Sequence, residues 1–324
     1  MVKDAKSHAD RLGISWDVAV ARAQDYLPYA QEYDPEYLDF MRGYAKGSGI
    51  PFEELFTLIC RGERGLCTDV SVNSDATSDG SVLSAHTEDW KKLDQEHVVL
   101  VNGKPKDGPS FLVATLAGLE FDTGLNSAGI SLSGNSLHPN DTRIGVPKMF
   151  VARKILASRR IGDAIRAAAP PARASSYNNN ICHSSGEIYC VEGSATDFCL
   201  LYPSDGYLVH TNHHLSSKMA KFEALFSGPA GNSLEHGSDS VVRYNRAETL
   251  VRRKLGELTV ETLISILSDH VNYPDSICCH EDVRAPAHER YKTIFAVVSD
   301  LTNLEMHACL GNPCEGNWKT YRLG

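Results

Sequence analysis

The stretch 82-VLSAHTEDWKKLDQEHVVLVNGKPKDGPSFLVAT-115 decides the fold class of this chain. It holds three runs rich in β-branched and apolar residues, at 82–86, 97–101 and 111–115. The breaks between these runs contain Asn-Gly and Asp-Gly-Pro, which are turn-forming sequences. Such runs between turn residues are typical of β-strands with short connections. The sequence therefore predicts a β-rich body after Cys67.

Helical periodicity lies on both sides of these strands. Apolar residues recur at spacings of three and four over 15–47, and a helix over 35–46 is expected to end at Gly47. Helices are also predicted over 149–169 and 238–270. Further strands are predicted over 121–132, 187–191, 197–201, 207–210, 293–298, 304–309 and 318–323. Helices before and between runs of strands indicate an α+β fold with antiparallel sheets and outer helices in one domain.

The bulk composition excludes several classes of function. The 324 residues carry a formal net charge of -9, which argues against nucleic acid as a partner because phosphate binding needs a basic surface. No apolar run is long enough to predict a membrane span, and the first residues do not resemble a secretory signal. Nine cysteines, an odd number, indicate reduced thiols. A cytoplasmic protein is expected.

Cys67 lies in the run 61-RGERGLCT-68. One thiol among nine would ordinarily be a buried structural cysteine. Seven segments around it change that interpretation, because they occur in an order and at spacings that match a known pattern. They are 40-FMRGYAKGSG-49, 53–63, 86-HTEDW-90, 124-GLNSAGI-130, 210-HTNH-213, 274-PDSIC-278 and 293–313.

With these segments the chain resembles the isopenicillin N acyltransferase family, the acyl-coenzyme A:6-aminopenicillanate acyltransferases and their relatives. The resemblance covers about residues 35–323. It departs from the family pattern at Met41, where Glu is usual, at Cys60, near the usual Asn, and at Cys279, where many relatives carry Arg.

The resemblance implies the four-layer αββα sandwich of N-terminal-nucleophile hydrolases. It also implies that the chain is made as a precursor that cleaves itself between Leu66 and Cys67. Residues 1–66 would then be a helical α fragment that stays associated with a catalytic β fragment, 67–324, so that both form one domain.

The same resemblance implies a chemical role for Cys67. Its sulfur attacks the Leu66 carbonyl, and hydrolysis of the resulting thioester leaves Cys67 with a free α-amine. Such an amine has a pKa of about 8 and can accept the thiol proton, so one residue supplies nucleophile and base. The sulfur would then form an acyl-enzyme with the substrate.

Supporting groups are carried over from the family residue by residue. Asn212 is expected to donate to the oxyanion of acyl transfer, with His213 beside it. Asp89 is expected to orient the Cys67 amine and to assist the cleavage. Thr68 and Asp69 flank the nucleophile. A turn asparagine and a surface aspartate are the ordinary alternatives for Asn212 and Asp89.

Substrate contacts are less specified. The arginine that is missing at Cys279 would help to hold a substrate carboxylate, so its absence argues against a penicillin-type or peptide-type carboxylate. Arg284 and Arg290 are close enough in sequence to replace it. Asn180 belongs to a triple-asparagine run, 178–180, which is interpreted as a polar loop before a strand and which the family places near the substrate cleft.

No metal site and no cofactor are expected. Cysteine and histidine pairs occur at 182–183, 213–214 and 278–280, but adjacent side chains on a strand point to opposite faces and cannot reach one ion. Structural zinc sites favour paired spacings that these pairs lack.

The preferred function is hydrolysis of a small N-acyl amide through a Cys67 acyl-enzyme. The first alternative is an acyltransferase that moves an acyl group from an amide or from acyl-CoA, as co-substrate, to an amine such as a 6-aminopenicillanate-like acceptor. The second is a non-catalytic relative that kept the fold.

Overall fold

The computed structural model describes residues 1–11, 13–60, 65–118, 123–228, 231–232 and 237–323. Two antiparallel β-sheets pack face to face, and helices cover the outer face of each sheet. This is the αββα sandwich that the resemblance implies. No helix among the described residues combines the length and the apolar character that a membrane crossing requires.

Five helices precede the first strand, and four more lie between later strands of the described chain. Their bounds are α1 (Val2–Arg11), α2 (Trp16–Ala23), α3 (Leu27–Tyr33), α4 (Pro35–Ser48), α5 (Phe52–Cys60), α6 (Lys148–Leu156), α7 (Ile161–Ala168), α8 (Ser238–Arg252) and α9 (Val260–Leu267).

The strands follow the helical N-terminal segment. In chain order they are β1 (Leu66–Val72), β2 (Leu83–Lys91), β3 (Val98–Gly103), β4 (Phe111–Leu116), β5 (Thr123–Asn126), β6 (Ile130–Ser136), β7 (Tyr177–His183), β8 (Ile188–Gly193), β9 (Phe198–Leu201), β10 (Tyr207–His210), β11 (Ser227–Gly228), β12 (Gly231–Asn232), β13 (Tyr291–Asp300), β14 (Glu305–Leu310) and β15 (Lys319–Arg322). The first sheet has the order β10-β1-β2-β13-β14-β15, the second runs from β3 to β9 in sequence, and β11 pairs with β12.

Helix α4 shows how local chemistry sets an element and its packing. Asp34 caps its start by accepting a hydrogen bond from the backbone N–H of Tyr37, and Pro35 occupies the first turn. Its end is capped by Gly49, with φ of 71°, two residues beyond the predicted Gly47. Met41 is fully buried in the apolar core beneath the second sheet. An unpaired glutamate at this position would be unfavourable, because its charge would be buried without a partner.

The two faces of β1 meet different layers. Val70 and Val72 belong to the apolar cluster with α8 and α9 on the outer face. Because side chains alternate along a strand, Cys67, Asp69 and Ser71 point to the other face, between the two sheets. That space is polar next to β1, so the fold brings the nucleophile candidate into a buried polar layer.

Most predicted elements are confirmed, with one clear correction. The run of asparagines at 178–180 was predicted to be a loop, and that prediction is wrong: it lies inside β7 and is buried. Asn178 and Asn180 are accommodated because they face polar side chains in the layer between the sheets. Arg61 and Glu63 of the family-like run and Phe121 of the predicted strand 121–132 lie outside the described residues.

Candidate active site

Cys67 lies at the start of β1, and only 2% of its surface is exposed to solvent. The backbone N–H of Cys67 donates to Asn212 Oδ1 over 2.9 Å. Gly65, two residues earlier, packs so tightly that an added Cβ would lie 2.8 Å from the ring of Trp90. A glycine is therefore needed just before the Leu66–Cys67 bond to let the chain pass this ring.

Asn212 contacts the chain on both sides of that bond. Its Oδ1 accepts from Cys67, and its Nδ2 donates to the carbonyl oxygens of Gly65 and Ser136, both at 3.2 Å. Asn212 follows β10, the strand that pairs with β1, and its own backbone N–H donates to Ser240 Oγ. The amide is thus held in place at the junction by contacts at both ends.

Arg243 is the functional candidate that the sequence analysis missed. It projects from α8, is 1% exposed, and donates to the carbonyl oxygen of Cys67 (2.5 Å), to Thr68 Oγ1 (3.1 Å) and to Asn212 Oδ1 (2.8 Å). Asp239, one turn earlier, balances its charge at 3.1 Å. Sequence spacing does not distinguish Arg243 from Arg246 and Arg252 of the same helix, so the packed structure is needed to identify it.

A chain of charged groups runs from the Cys67 sulfur along the layer between the sheets. Cys67 Sγ lies 3.6 Å from Glu88 Oε2, Glu88 contacts His86 Nε2 at 3.1 Å, and His86 Nδ1 contacts Asp69 at 2.7 Å. Antiparallel register explains the grouping, because Cys67 pairs with Glu88 and Asp69 with His86. Although burial acts to lower it, the two carboxylates raise the pKa of His86 to about 10. The imidazole is therefore a cation at neutral pH.

Asp89 lies on the opposite face of β2 from Glu88. It is the cross-strand partner of Leu66, which places it at the junction. Thr293 Oγ1 donates to its Oδ1 over 2.6 Å, whereas Oδ2 has no hydrogen-bond partner in the part of the chain that the structure describes. Burial raises the pKa of Asp89 to about 7.

Comparison with known proteins agrees with this architecture. The sequence model of the acyl-coenzyme A:6-aminopenicillanic acid acyltransferase family matches residues 76–315, most of the chain. The chain belongs to this family. The match begins beyond Cys67, so it covers Asp89 and Asn212 but not the Leu66–Cys67 junction.

A curated relative extends the similarity. The chain is 27% identical over 290 residues to the 40 kDa form of acyl-coenzyme A:6-aminopenicillanic-acid-acyltransferase from Emericella nidulans, covering 86% of this chain and 76% of that protein. The family and this relative support an enzyme of acyl transfer as the general class.

Solved structures show the same fold. The Caenorhabditis elegans ortholog of N-acylethanolamine-hydrolyzing acid amidase superposes with a TM-score of 0.52 at 14% identity, over 73% of this chain and 93% of that one. A variant of conjugated bile acid hydrolase from Clostridium perfringens gives 0.53 at 12% identity, over 80% and 97%. This chain therefore has the fold of N-terminal-nucleophile hydrolases.

The remaining sequence candidates divide into two groups. Thr68 and Asp69 join the network around Cys67 through Arg243 and His86. His213 contacts Ser240 Oγ at 2.8 Å, and burial lowers the pKa of His213 to about 4, so it is neutral at pH 7. It contacts the same Ser240 hydroxyl that accepts a hydrogen bond from the backbone N–H of Asn212.

The substrate-contact candidates lie further from the nucleophile. Asn180 Nδ2 donates to Ser71 Oγ at 2.7 Å, between the sheets and farther along β1 from Cys67. Arg284 is exposed and paired with Asp282. Arg290 donates to carbonyl oxygens of the loop that precedes β13. The structure does not bring either arginine into the hydrogen-bonded network around Cys67 that is described above.

Cys279 reaches the site through its backbone. Its N–H donates to Thr293 Oγ1 over 3.0 Å, and that hydroxyl donates in turn to Asp89. The position where relatives often carry arginine therefore supports Asp89 by way of Thr293.

The group Cys67, His86 and Glu88 has ligand atoms within 4.8 Å of one another, a spacing that a metal ion could use. However, both ring nitrogens of His86 already contact carboxylates, at 2.7 Å and 3.1 Å. A ring nitrogen that donates its proton to a carboxylate has no lone pair for a metal, so these contacts compete with metal binding.

Proposed function

We propose that Cys67 is freed by intramolecular cleavage after Leu66 and that the mature protein hydrolyses a small N-acyl amide through a Cys67 acyl-enzyme. The observation that carries this proposal is the set of hydrogen bonds that hold the Leu66–Cys67 junction in place. Asn212 and Arg243 hold the peptide groups on either side of the Leu66–Cys67 bond, and a carboxylate faces the Cys67 sulfur.

The cleavage step follows from this arrangement. The Cys67 thiol proton passes to Glu88, and the sulfur forms a C–S bond with the Leu66 carbonyl carbon. The Leu66–Cys67 C–N bond then breaks as the Cys67 nitrogen takes up a proton. Water hydrolyses the thioester, which leaves a carboxylate on Leu66 and restores the Cys67 thiol beside its new α-amine.

Asn212 can serve both steps. Before cleavage its Nδ2 donates to the Gly65 carbonyl at 3.2 Å. Once Gly65 moves away with the released end, that N–H is free to donate to the oxyanion of a substrate. Its Oδ1 keeps the Cys67 nitrogen in place, and we expect the free oxygen of Asp89, across from Leu66, to pair with the new ammonium.

A largely apolar cavity supports an apolar acyl group in the substrate. It has a volume of about 410 Å³, and its lining includes Phe295, Val297 and Leu100 together with the polar Asn317 and Lys319. Phe295 is the cross-strand partner of Glu88, which places this lining residue two strands, or about 10 Å, from Cys67. Each methylene added to the acyl chain is expected to raise kcat/KM by about fourfold until the cavity is filled.

Acyl transfer is the second candidate, favoured by the family name and by the Emericella nidulans relative. Here an amine, rather than water, takes the acyl group from Cys67, and an acyl-CoA thioester could supply it. Product analysis with and without an added amine distinguishes the two. A new amide formed at the expense of free acid indicates transfer, and acid alone indicates hydrolysis.

Intact mass spectrometry of freshly purified wild type beside Cys67→Ala tests the cleavage. We expect wild type to yield fragments ending at Leu66 and starting at Cys67, while Cys67→Ala stays whole. Cys199→Ala, which removes a half-buried thiol on β9, serves as the matched control and should cleave normally. If wild type stays whole under all conditions, the self-processing proposal fails and a non-catalytic relative is favoured.

A further inference from the structure

A second group of cysteine and histidine side chains lies outside the site described above. His270 follows α9, Cys278 and His280 lie in the segment between α9 and β13, and Cys314 lies in the turn after β14. One ligand atom from each of the four lies within 4.8 Å of every other. The fold thus brings four metal-binding atoms together from two distant parts of the chain.

The distances within this group match a tetrahedron. Zinc bonds of about 2.3 Å to sulfur and about 2.05 Å to nitrogen give edges of about 3.8 Å between sulfurs, 3.6 Å between sulfur and nitrogen, and 3.3 Å between nitrogens. The Cys278 and Cys314 sulfurs are 3.5 Å apart, and each lies 3.5 Å from His280 Nε2. His270 Nε2 lies 3.1 Å from His280 Nε2. All four measured edges agree with these values to within about 0.3 Å.

Hydrogen bonding alone does not account for this arrangement. His280 Nε2 is close to three atoms at once: the Nε2 of His270 and the sulfurs of Cys278 and Cys314. An imidazole nitrogen has either one proton or one lone pair in the ring plane, so it makes one good hydrogen bond. Three close neighbours around one such nitrogen are instead the geometry of ligands that share a central ion.

We propose that His270, Cys278, His280 and Cys314 bind one zinc ion. Two thiolates and two imidazoles are a common ligand set for structural zinc, and four protein ligands leave no position open for a substrate. Neighbouring groups support the ligands. Asn312 Nδ2 lies 3.5 Å from the Cys278 sulfur, where it can donate to a thiolate.

The expectation that cysteines and histidines at 278–280 could not share an ion rested on neighbours in a strand. The segment is irregular, and the pair that converges is Cys278 and His280, two residues apart. The other two ligands, His270 and Cys314, lie eight residues before Cys278 and 34 residues after His280, so the sequence shows no paired ligand spacing that would predict the site. The proposal replaces that expectation.

The zinc would fasten the segment before β13 to the turn after β14. Cys279, between two of the ligands, donates its N–H to Thr293 Oγ1, which donates to Asp89. Asn312 also donates to the Cys279 carbonyl oxygen at 2.7 Å. Loss of the ion should therefore loosen the support of Asp89 without removing any group that touches the substrate.

Metal analysis of the full-length protein, expressed with zinc in the medium, tests the proposal. We expect inductively coupled plasma mass spectrometry to find one zinc ion per chain. Replacement of zinc by Co²⁺ should give the visible absorption bands of a tetrahedral ion and a thiolate charge-transfer band. In Cys314→Ser and His280→Ala both signals should fall to background. Cys199→Ser and His307→Gln, which change a cysteine and a histidine outside the group, should keep them.

Three outcomes would overturn the proposal. One is a zinc-free wild type that gives no tetrahedral Co²⁺ spectrum on titration. Another is a wild-type mass lower by two hydrogens, with peptide mapping that joins Cys278 to Cys314 in a disulfide. The last is zinc that survives in Cys314→Ser but is lost in Cys67→Ala, which would place the ion at the candidate active site. Because the Co²⁺ spectrum is measured on wild type, a variant that fails to fold does not leave the question open.

Discussion

Two cysteine–histidine groups in this fold differ in what surrounds the imidazole. His86, near Cys67, lies between the carboxylates of Asp69 and Glu88, which raise its pKa to about 10. His280 instead faces two sulfurs and another imidazole. Carboxylates on both ring nitrogens keep a histidine protonated and suited to charge stabilisation, whereas converging thiols and a second imidazole suit a metal. The same residue types thus serve different chemistry according to their neighbours.

The largest effect is expected from Arg243→Ala, which should damage the Cys67 site and leave the proposed zinc site intact. Arg243→Ala leaves Asp239 and the Asn212 oxygen without their buried cation, and breaking such a pair costs about 3–5 kcal/mol. We expect a large drop in the temperature of thermal unfolding and no cleavage after Leu66, with zinc content unchanged. Arg246→Ala, on the same helix but half-exposed and paired with Asp269, is the control and should cleave normally. Normal cleavage by Arg243→Ala would contradict its role.

Glu88→Gln tests the proton acceptor with little change of shape. It removes the carboxylate that faces the Cys67 sulfur, so the cleavage rate should fall by about 10²–10⁴, the range for loss of general base catalysis. The measurement is the fraction of whole chain over time by gel electrophoresis. Glu187→Gln, at an exposed position before β8, should behave as wild type. A Glu88→Gln chain that cleaves at the wild-type rate would show that another group takes the thiol proton.

The raised pKa of His86 predicts how stability depends on pH. The folded state keeps the His86 proton up to about pH 10, while the unfolded state loses it near 6.5. Between these values the folded state binds more protons, so stability falls as pH rises, by roughly 1 kcal/mol per pH unit. Denaturant unfolding at pH 7, 8 and 9 measures this slope, which His86→Gln should flatten. Equal slopes in both proteins would mean that His86 is neutral in the fold.

The smallest expected effect concerns the link between the two groups. Thr293→Val removes the hydroxyl that joins Cys279 to Asp89, at a cost of about 1–3 kcal/mol because buried partners are left unpaired. We expect a modest fall in unfolding temperature and slower cleavage, with zinc content unchanged. Thr302→Val, whose hydroxyl accepts from the Val82 N–H, is a control for loss of a hydroxyl elsewhere. If cleavage is slowed equally in both variants, the Thr293 hydroxyl has no specific role in connecting Cys279 to Asp89.

The strands and the candidate nucleophile could be predicted from the sequence, whereas the side chains that contact Cys67 could not. Cys67, Asp89 and Asn212 followed from ordered motifs, and β2, β3 and β4 from local turn signals. Glu88 and His86 lay within a quoted segment, but their contact with Cys67 depends on the register between β1 and β2, which local sequence does not determine.

Two further features required the folded chain. Arg243 lies within a long helical block, and only the packing of α8 on β1 shows which of its arginines is buried. Asn178 and Asn180 lie in a strand despite the low strand propensity of asparagine, because the layer that they face is itself polar. Long-range packing decided both, as it did the four ligands of the proposed zinc site.

The account's central claim is that the sulfur of a newly exposed N-terminal Cys67 carries the acyl group. The most direct measurement is rapid acid quench of the cleaved protein during turnover of an N-acyl amide, followed by mass analysis and peptide mapping. We predict that the fragment starting at Cys67 gains the mass of the acyl group, and that the adduct maps to its N-terminal peptide. Turnover with no adduct at Cys67, or with an adduct on another residue, would contradict the account.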